Sequence, residues 1–146
     1  MADSPHRAAH VAAVLESVTR LGSSIAAGPR VLFHGRDLTR TQMQALFTLA
    51  HTPTPVTPGQ LATGLGVTAG AVTQLIDGLR DQRLVETTPN LDDARSRVIR
   101  LTADAAEEVQ RFEGAIVERL LPRFDSFGDD ELIALSHALA RITEET

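Results

Sequence analysis

Cysteine, lysine, tryptophan and tyrosine are all missing from this 146-residue chain. Without cysteine there are no disulfides, no thiolate metal sites and no thiol-based redox sensing. Five Phe are the only aromatics, 3% of the residues, so the core has to be built from Leu, Val, Ile and Ala. No apolar run approaches the roughly 18 residues of a membrane span. The opening MADSPHRAAHVAAV has no basic stretch followed by a long apolar block, so no signal peptide is expected, and a cytoplasmic location is the default expectation. All 14 basic residues are Arg, a bias that fits GC-rich coding better than a functional choice.

The length fits one domain, and an apolar content of 42% is enough for a modest core. The formal net charge of −5 argues mildly against nucleic acid, whose binders usually show a basic footprint. The distribution matters more than the total. Arg80, Arg83, Arg95, Arg97 and Arg100 cluster, while acids crowd the last third around Glu107, Glu108, Asp129, Asp130, Glu131, Glu144 and Glu145.

Ser4-Pro5 reads as a helix start, since the N–H that Pro lacks has no partner there anyway. Val11, Val14, Leu15, Val18, Leu21 and Ile25 then recur at helical steps up to Ala26, before Gly28-Pro29. Residues 28–37 form a connector that Val31, Leu32 and Phe33 keep from being fully exposed. A second helix starts at Thr39 with Met43, Leu46, Phe47 and Leu49, and stops at the proline-bearing loop after His51. Thr57-Pro58 starts a short helix with Leu61, Ala62 and Leu65 inward. Gly64 and Gly66 bracket a turn, and Thr68 caps the next helix, with Ala71, Val72, Leu75, Ile76 and Leu79 inward.

Residues 84–88 and 96–101 read as two strands around a polar turn at 89–94. Thr102 caps a long helix with Asp104 in its first turn and a stripe of Val109, Phe112, Ile116, Leu120 and Leu121, up to Pro122. A last helix from Asp129 carries Leu132, Ile133, Leu135, Leu139 and Ile142. The helices at the two ends have apolar stripes that a small central unit covers only in part. Each buried Leu, Val or Ile is worth roughly 1.5–3 kcal/mol, so packing against a second chain is expected, the alternative being that these helices pack onto their own chain.

Catalysis is not expected. Ser136 and His137 are adjacent and point about 100° apart on a helix, which rules them out as nucleophile and base. Asp129-Asp130 sit where caps belong, and there is no phosphate loop or nucleophile elbow. His6 and His10 share a helix face, but two ligands do not make a metal site, so no metal and no cofactor is expected. His34 and His51 flank the second helix and read as surface or half-buried residues. Phe33, Met43, Phe47 and Phe112 can line an apolar ligand pocket, though each reads more readily as ordinary core.

Four motifs in order resemble the MarR family of bacterial winged helix-turn-helix regulators. They are Leu38-Thr39-Arg40-Thr41-Gln42; the helix with Leu61-Ala62; Val67-Thr68-Ala69-Gly70-Ala71-Val72-Thr73; and Asp93, Arg95, Ser96 and Leu101-Thr102. The resemblance covers nearly the whole chain in element order. It implies a mainly α fold with a small β-hairpin wing, as a single domain over 1–146. A winged DNA-binding lobe would span 38–102, and dimerisation helices 4–27 and 102–144. It further implies a homodimeric repressor on a pseudo-palindromic operator in double-stranded DNA, released by a small aromatic or phenolic effector.

On a recognition helix starting at Thr68 the outward residues are Ala69, Gly70, Thr73, Gln74, Asp77 and Arg80. Gln74 suits adenine, Thr73 a base edge or thymine methyl, and Ala69 and Gly70 allow close approach. Thr57 and Thr68, at helix N-termini, suit phosphates or serve as plain caps. Arg95 suits a narrow A·T-rich minor groove, with Asp93 orienting its guanidinium or the turn. Arg97 and Arg100 reach phosphates or form a solvated face. The chain also departs from the family pattern. Gln74 stands where a basic residue is common, Thr87 and Ala94 replace frequent arginines, and Ala105 replaces a frequent Gly. Arg83 replaces the Gly that usually ends the recognition helix, which raises the expectation of a strained turn. These losses leave a second reading, a winged-helix protein–protein module with little DNA binding of its own.

Overall fold

The computed structural model describes residues 5–27, 33 and 35–143. Expectations placed on Ser4, Val31, Leu32 and His34 therefore lie outside the described residues. In order come α1 (Pro5–Ala26), α2 (Arg40–His51), α3 (Pro58–Leu65), α4 (Ala69–Asp81), β1 (Val85–Pro89), β2 (Arg97–Leu101), α5 (Ala103–Leu120), a 3-10 helix (Leu121–Phe124) and α6 (Asp129–Thr143). The chain divides into two compact units, Pro29–Gly114 and Met1–Gly28 with Ala115–Thr146. α5 runs from the first into the second.

In the first unit each helix start is written in a threonine. Thr39 and Thr57 have extended backbones and form complete capping boxes with Gln42 and Gln60, while Thr68 accepts from the N–H of Ala71. α3 ends at Gly66, whose φ of 65° is the left-handed geometry that glycine adopts without a Cβ penalty. Gly64, expected to bracket this turn, lies inside α3. Leu46, Leu61, Val72, Leu79, Leu84, Ile99 and Val109 are fully buried in one aliphatic core, joined by Phe33. Ala71, expected inward, is exposed, because it sits at the flank of the Val72–Ile76–Leu79 stripe.

β1 and β2 form an antiparallel hairpin with Val85 opposite Leu101 and Pro89 opposite Arg97. Pro89, read as turn, is the last residue of β1, where its missing N–H does no harm to the ladder. Ile99 donates to the Val56 carbonyl at 2.8 Å, which staples the hairpin to the segment before α3. α2 meets the middle of α5 through the Phe47 and Phe112 rings, 5.6 Å apart, and through His51 Nε2, 3.1 Å from Glu113 Oε1.

α4 ends in a Schellman arrangement. Leu84 N–H donates to Leu79 O (2.9 Å) and Arg83 N–H to Arg80 O (2.8 Å), with Arg83 at φ 59°. The strain expected at this position is present. It is held by the Thr102 hydroxyl, which donates to Arg83 O at 3.0 Å and accepts from Ala105 N–H at 3.2 Å. Arg36 Nη1 also donates to Gln82 O. An L-residue in this region costs roughly 1–2 kcal/mol, partly offset by the extra freedom glycine has when unfolded. Arg83→Gly is therefore expected to stabilise the protein by about 0.5–1 kcal/mol, read as a higher melting temperature in a calorimetric scan. A lower one would show that the guanidinium contributes more than the turn costs.

In the second unit Leu120 is buried, Arg119 Nη2 donates to Ile25 O (2.9 Å), and Arg123 Nη1 donates to Ser24 Oγ (2.9 Å). Pro122 turns the chain into the 3-10 helix, so Leu121, expected to continue the α5 stripe, is exposed beyond it. Many of the other apolar side chains here are exposed in the single chain. Val11 is 52%, Leu15 59% and Ile142 64% exposed.

Candidate nucleic-acid interface

The helix-turn-helix is α3, the Gly66–Thr68 turn and α4, and its outward surface is the exposed side of α4. Burial of Val72, Ile76 and Leu79 turns Ala69, Gly70, Thr73, Gln74, Asp77 and Arg80 to solvent. The first turn carries only small side chains. Thr73 Oγ1 donates back to Ala69 O at 3.0 Å, so the hydroxyl of this exposed residue is engaged within the helix. Arg80 Nη2 lies 2.8 Å from Asp77 Oδ1, so the one cation of α4 is paired within its own helix. Thr57 and Thr68 are both engaged as caps, and Thr68 is the more exposed of the two.

The wing tip is a seven-residue loop, 90–96, closed by its own polar groups. Asn90 N–H donates to Ser96 O (3.0 Å) and Asn90 Nδ2 to Ser96 Oγ (2.9 Å), while Asp92 N–H donates to Asn90 Oδ1 (3.1 Å). Asp93 Oδ1 accepts from the backbone N–H of Arg95 at 3.0 Å, and Asp93 O accepts from Ser96 N–H at 3.0 Å. Of the two roles open to Asp93, it takes the one on the turn. Among the described residues nothing engages the Arg95 guanidinium, which is held out on an ordered loop. Arg97 Nη2 donates across the hairpin to Thr87 O at 3.2 Å, and Arg100 stands opposite Glu86.

Asn90, absent from the motifs above, shapes this loop together with Ser96. The Pro-Asn-x-Asp run is the signal for Asn90, because Asn and Asp side chains bond their own backbone in turns. Leu91, on the same loop, is 98% exposed. Of the pocket candidates, Phe33 lies in the core, Met43 and Phe47 pack against it, and Phe112 meets Phe47. Among the described residues no three His, Asp or Glu side chains gather to hold a metal ion, and no helix is long and apolar enough to cross a membrane.

Residues 36–96 match the model of the MarR family. A MarR family protein from Bacillus stearothermophilus superposes with a TM-score of 0.69 at 20% identity, covering 92% of this chain and 94% of that one. Wild-type apo MarR from E. coli is 26% identical over 73% of this chain and 78% of its own, with a TM-score of 0.54. A point mutant of MepR from S. aureus, solved bound to an oligodeoxyribonucleotide, is 23% identical with a TM-score of 0.54, covering 73% of this chain and 78% of that one. The match falls on the elements just described: α2, the helix-turn-helix and the wing as far as Ser96. Through that winged helix-turn-helix the chain is similar to the MarR family, whose model matches residues 36–96.

Proposed function

We propose that this protein is a homodimeric repressor that binds a pseudo-palindromic operator in double-stranded DNA and releases it when a small aromatic or phenolic effector binds. The observation that carries the reading is the Arg95 guanidinium, unpaired among the described residues at the tip of an ordered wing, in the same compact unit as the exposed face of α4. In this arrangement α4 enters the major groove through Ala69, Gly70, Thr73 and Gln74, and Arg95 enters the flanking minor groove. Thr57, Thr68 and Arg97 are phosphate contacts, and Asp93 sets the loop. The S. aureus protein solved with an oligodeoxyribonucleotide supports DNA as the partner.

The homodimer rests on the uncovered stripes of α1 and α6. Val11, Leu15, Ile133 and Ile142 are each more than half exposed in one chain, and burying each against a partner gains roughly 1.5–3 kcal/mol. The effector reading rests on Met43, Phe47 and Phe112 beside the α2–α5 contact, with Phe33 beneath.

A second reading, a protein–protein module, is favoured by α4 itself, which carries one Arg against two Asp. A gel shift on the DNA upstream of the gene separates the two. Binding with at most three cations per protomer on phosphates gives a log K against log salt slope no steeper than about −5. A slope near −10 contradicts such a sparse set of contacts. No shift at low salt from a protein that light scattering shows to be dimeric favours the interaction module.

A further inference from the structure

We infer that base reading by α4 is concentrated in the Thr73–Gln74 pair, and that this pair selects an adenine–thymine step in each half-site. The inference rests on the DNA-binding reading above. It follows from eliminating the other groups on the exposed side of the helix. Ala69, Gly70 and Ala71 bring no hydrogen-bonding side chain. Asp77 and Arg80 hold each other at 2.8 Å, so the cation that would seek guanine or phosphate is occupied. The Thr73 hydroxyl is turned back to Ala69 O at 3.0 Å, which leaves the methyl as the part of this exposed side chain not held by a hydrogen bond. Gln74 is exposed, and among the described residues no hydrogen bond engages its amide.

A free carboxamide carries one acceptor and a donor pair side by side. In the major groove adenine offers the complement, an N6 amino donor beside the N7 acceptor. Guanine presents two acceptors, N7 and O6, and would set one against the amide oxygen. Cytosine and thymine each offer a single polar group. The Thr73 methyl, next along the helix, matches the C5-methyl of a neighbouring thymine. The small first turn lets the helix sit deep enough for both contacts. Arg95 favours the same composition beside it, since A·T-rich minor grooves are narrow and strongly negative.

The test is selection from a randomised duplex library, followed by affinities on single-position variants, for wild type, Gln74→Ala and Gln74→Arg. Gln74 is exposed and unpartnered among the described residues, so neither substitution should change the melting curve. Wild type is expected to demand adenine at the position facing Gln74 in each half-site, with other bases there lowering affinity roughly 5- to 150-fold, and to favour thymine at the neighbouring position. Gln74→Ala should flatten the preference at that position alone, and Gln74→Arg should move it to guanine. An unchanged preference in Gln74→Ala overturns the inference, as does wild-type binding to duplex without base preference, and in both cases DNA binding stands. Failure of wild type to bind any duplex at low salt overturns the DNA-binding reading as well.

Discussion

Arg95→Ala is expected to weaken operator binding by about 30- to 1000-fold with little change in the melting temperature. A base-directed Arg contact is worth about 1–3 kcal/mol, and a dimer loses two of them, about 2–4 kcal/mol in all at the lower half of that range. Stability is untouched because the guanidinium has no partner among the described residues, and the loop is closed by Asn90, Asp93 and Ser96. Two fewer cations on the DNA also lower the magnitude of the salt slope by about 2. Fluorescence anisotropy titrations at several salt concentrations measure both effects. Equal affinities for wild type and variant would remove the wing from the interface and leave α4 to carry binding alone.

Leu79→Ala acts through the fold. Leu79 is fully buried on the inner side of α4, opposite the face that carries Gln74. Truncating a leucine in a filled aliphatic core costs about 3–4 kcal/mol, through lost transfer energy and the cavity left behind. That is a large share of the roughly 5–15 kcal/mol that holds a typical domain together. A thermal melt should shift down by on the order of 10 °C. Leu91→Ala is the matched control, since Leu91 is 98% exposed and its truncation should leave the melt in place. Similar shifts for the two variants would mean that the core does not hold α4 as described.

The helix-turn-helix was legible because its boundaries are chemical. Thr57-Pro58, Gly66 and Thr68 mark helix ends by capping and by left-handed geometry, which spacing reveals without tertiary information. The turn at Arg83 was legible for the opposite reason, a bulky residue where the pattern wants glycine, and φ there is 59°. Other features depend on packing. Ala71 fits the apolar rhythm, yet it is too far round the helix to be covered. The unit boundary after Gly114 falls inside one continuous helix, where periodicity carries no mark of it. A two-residue spacing likewise leaves open whether Asp93 holds the Arg95 side chain or its backbone, and the folded loop puts the bond on the N–H.

The most direct measurement of the central claim is a nuclease footprint of wild-type protein on the DNA upstream of its gene. Two winged lobes related by a dimer axis should protect a near-symmetric site whose half-site centres lie about one helical turn, roughly 10 base pairs, or a multiple of it apart. Protection of a single unpaired half-site, or no protection at concentrations where the protein is dimeric, would contradict the account.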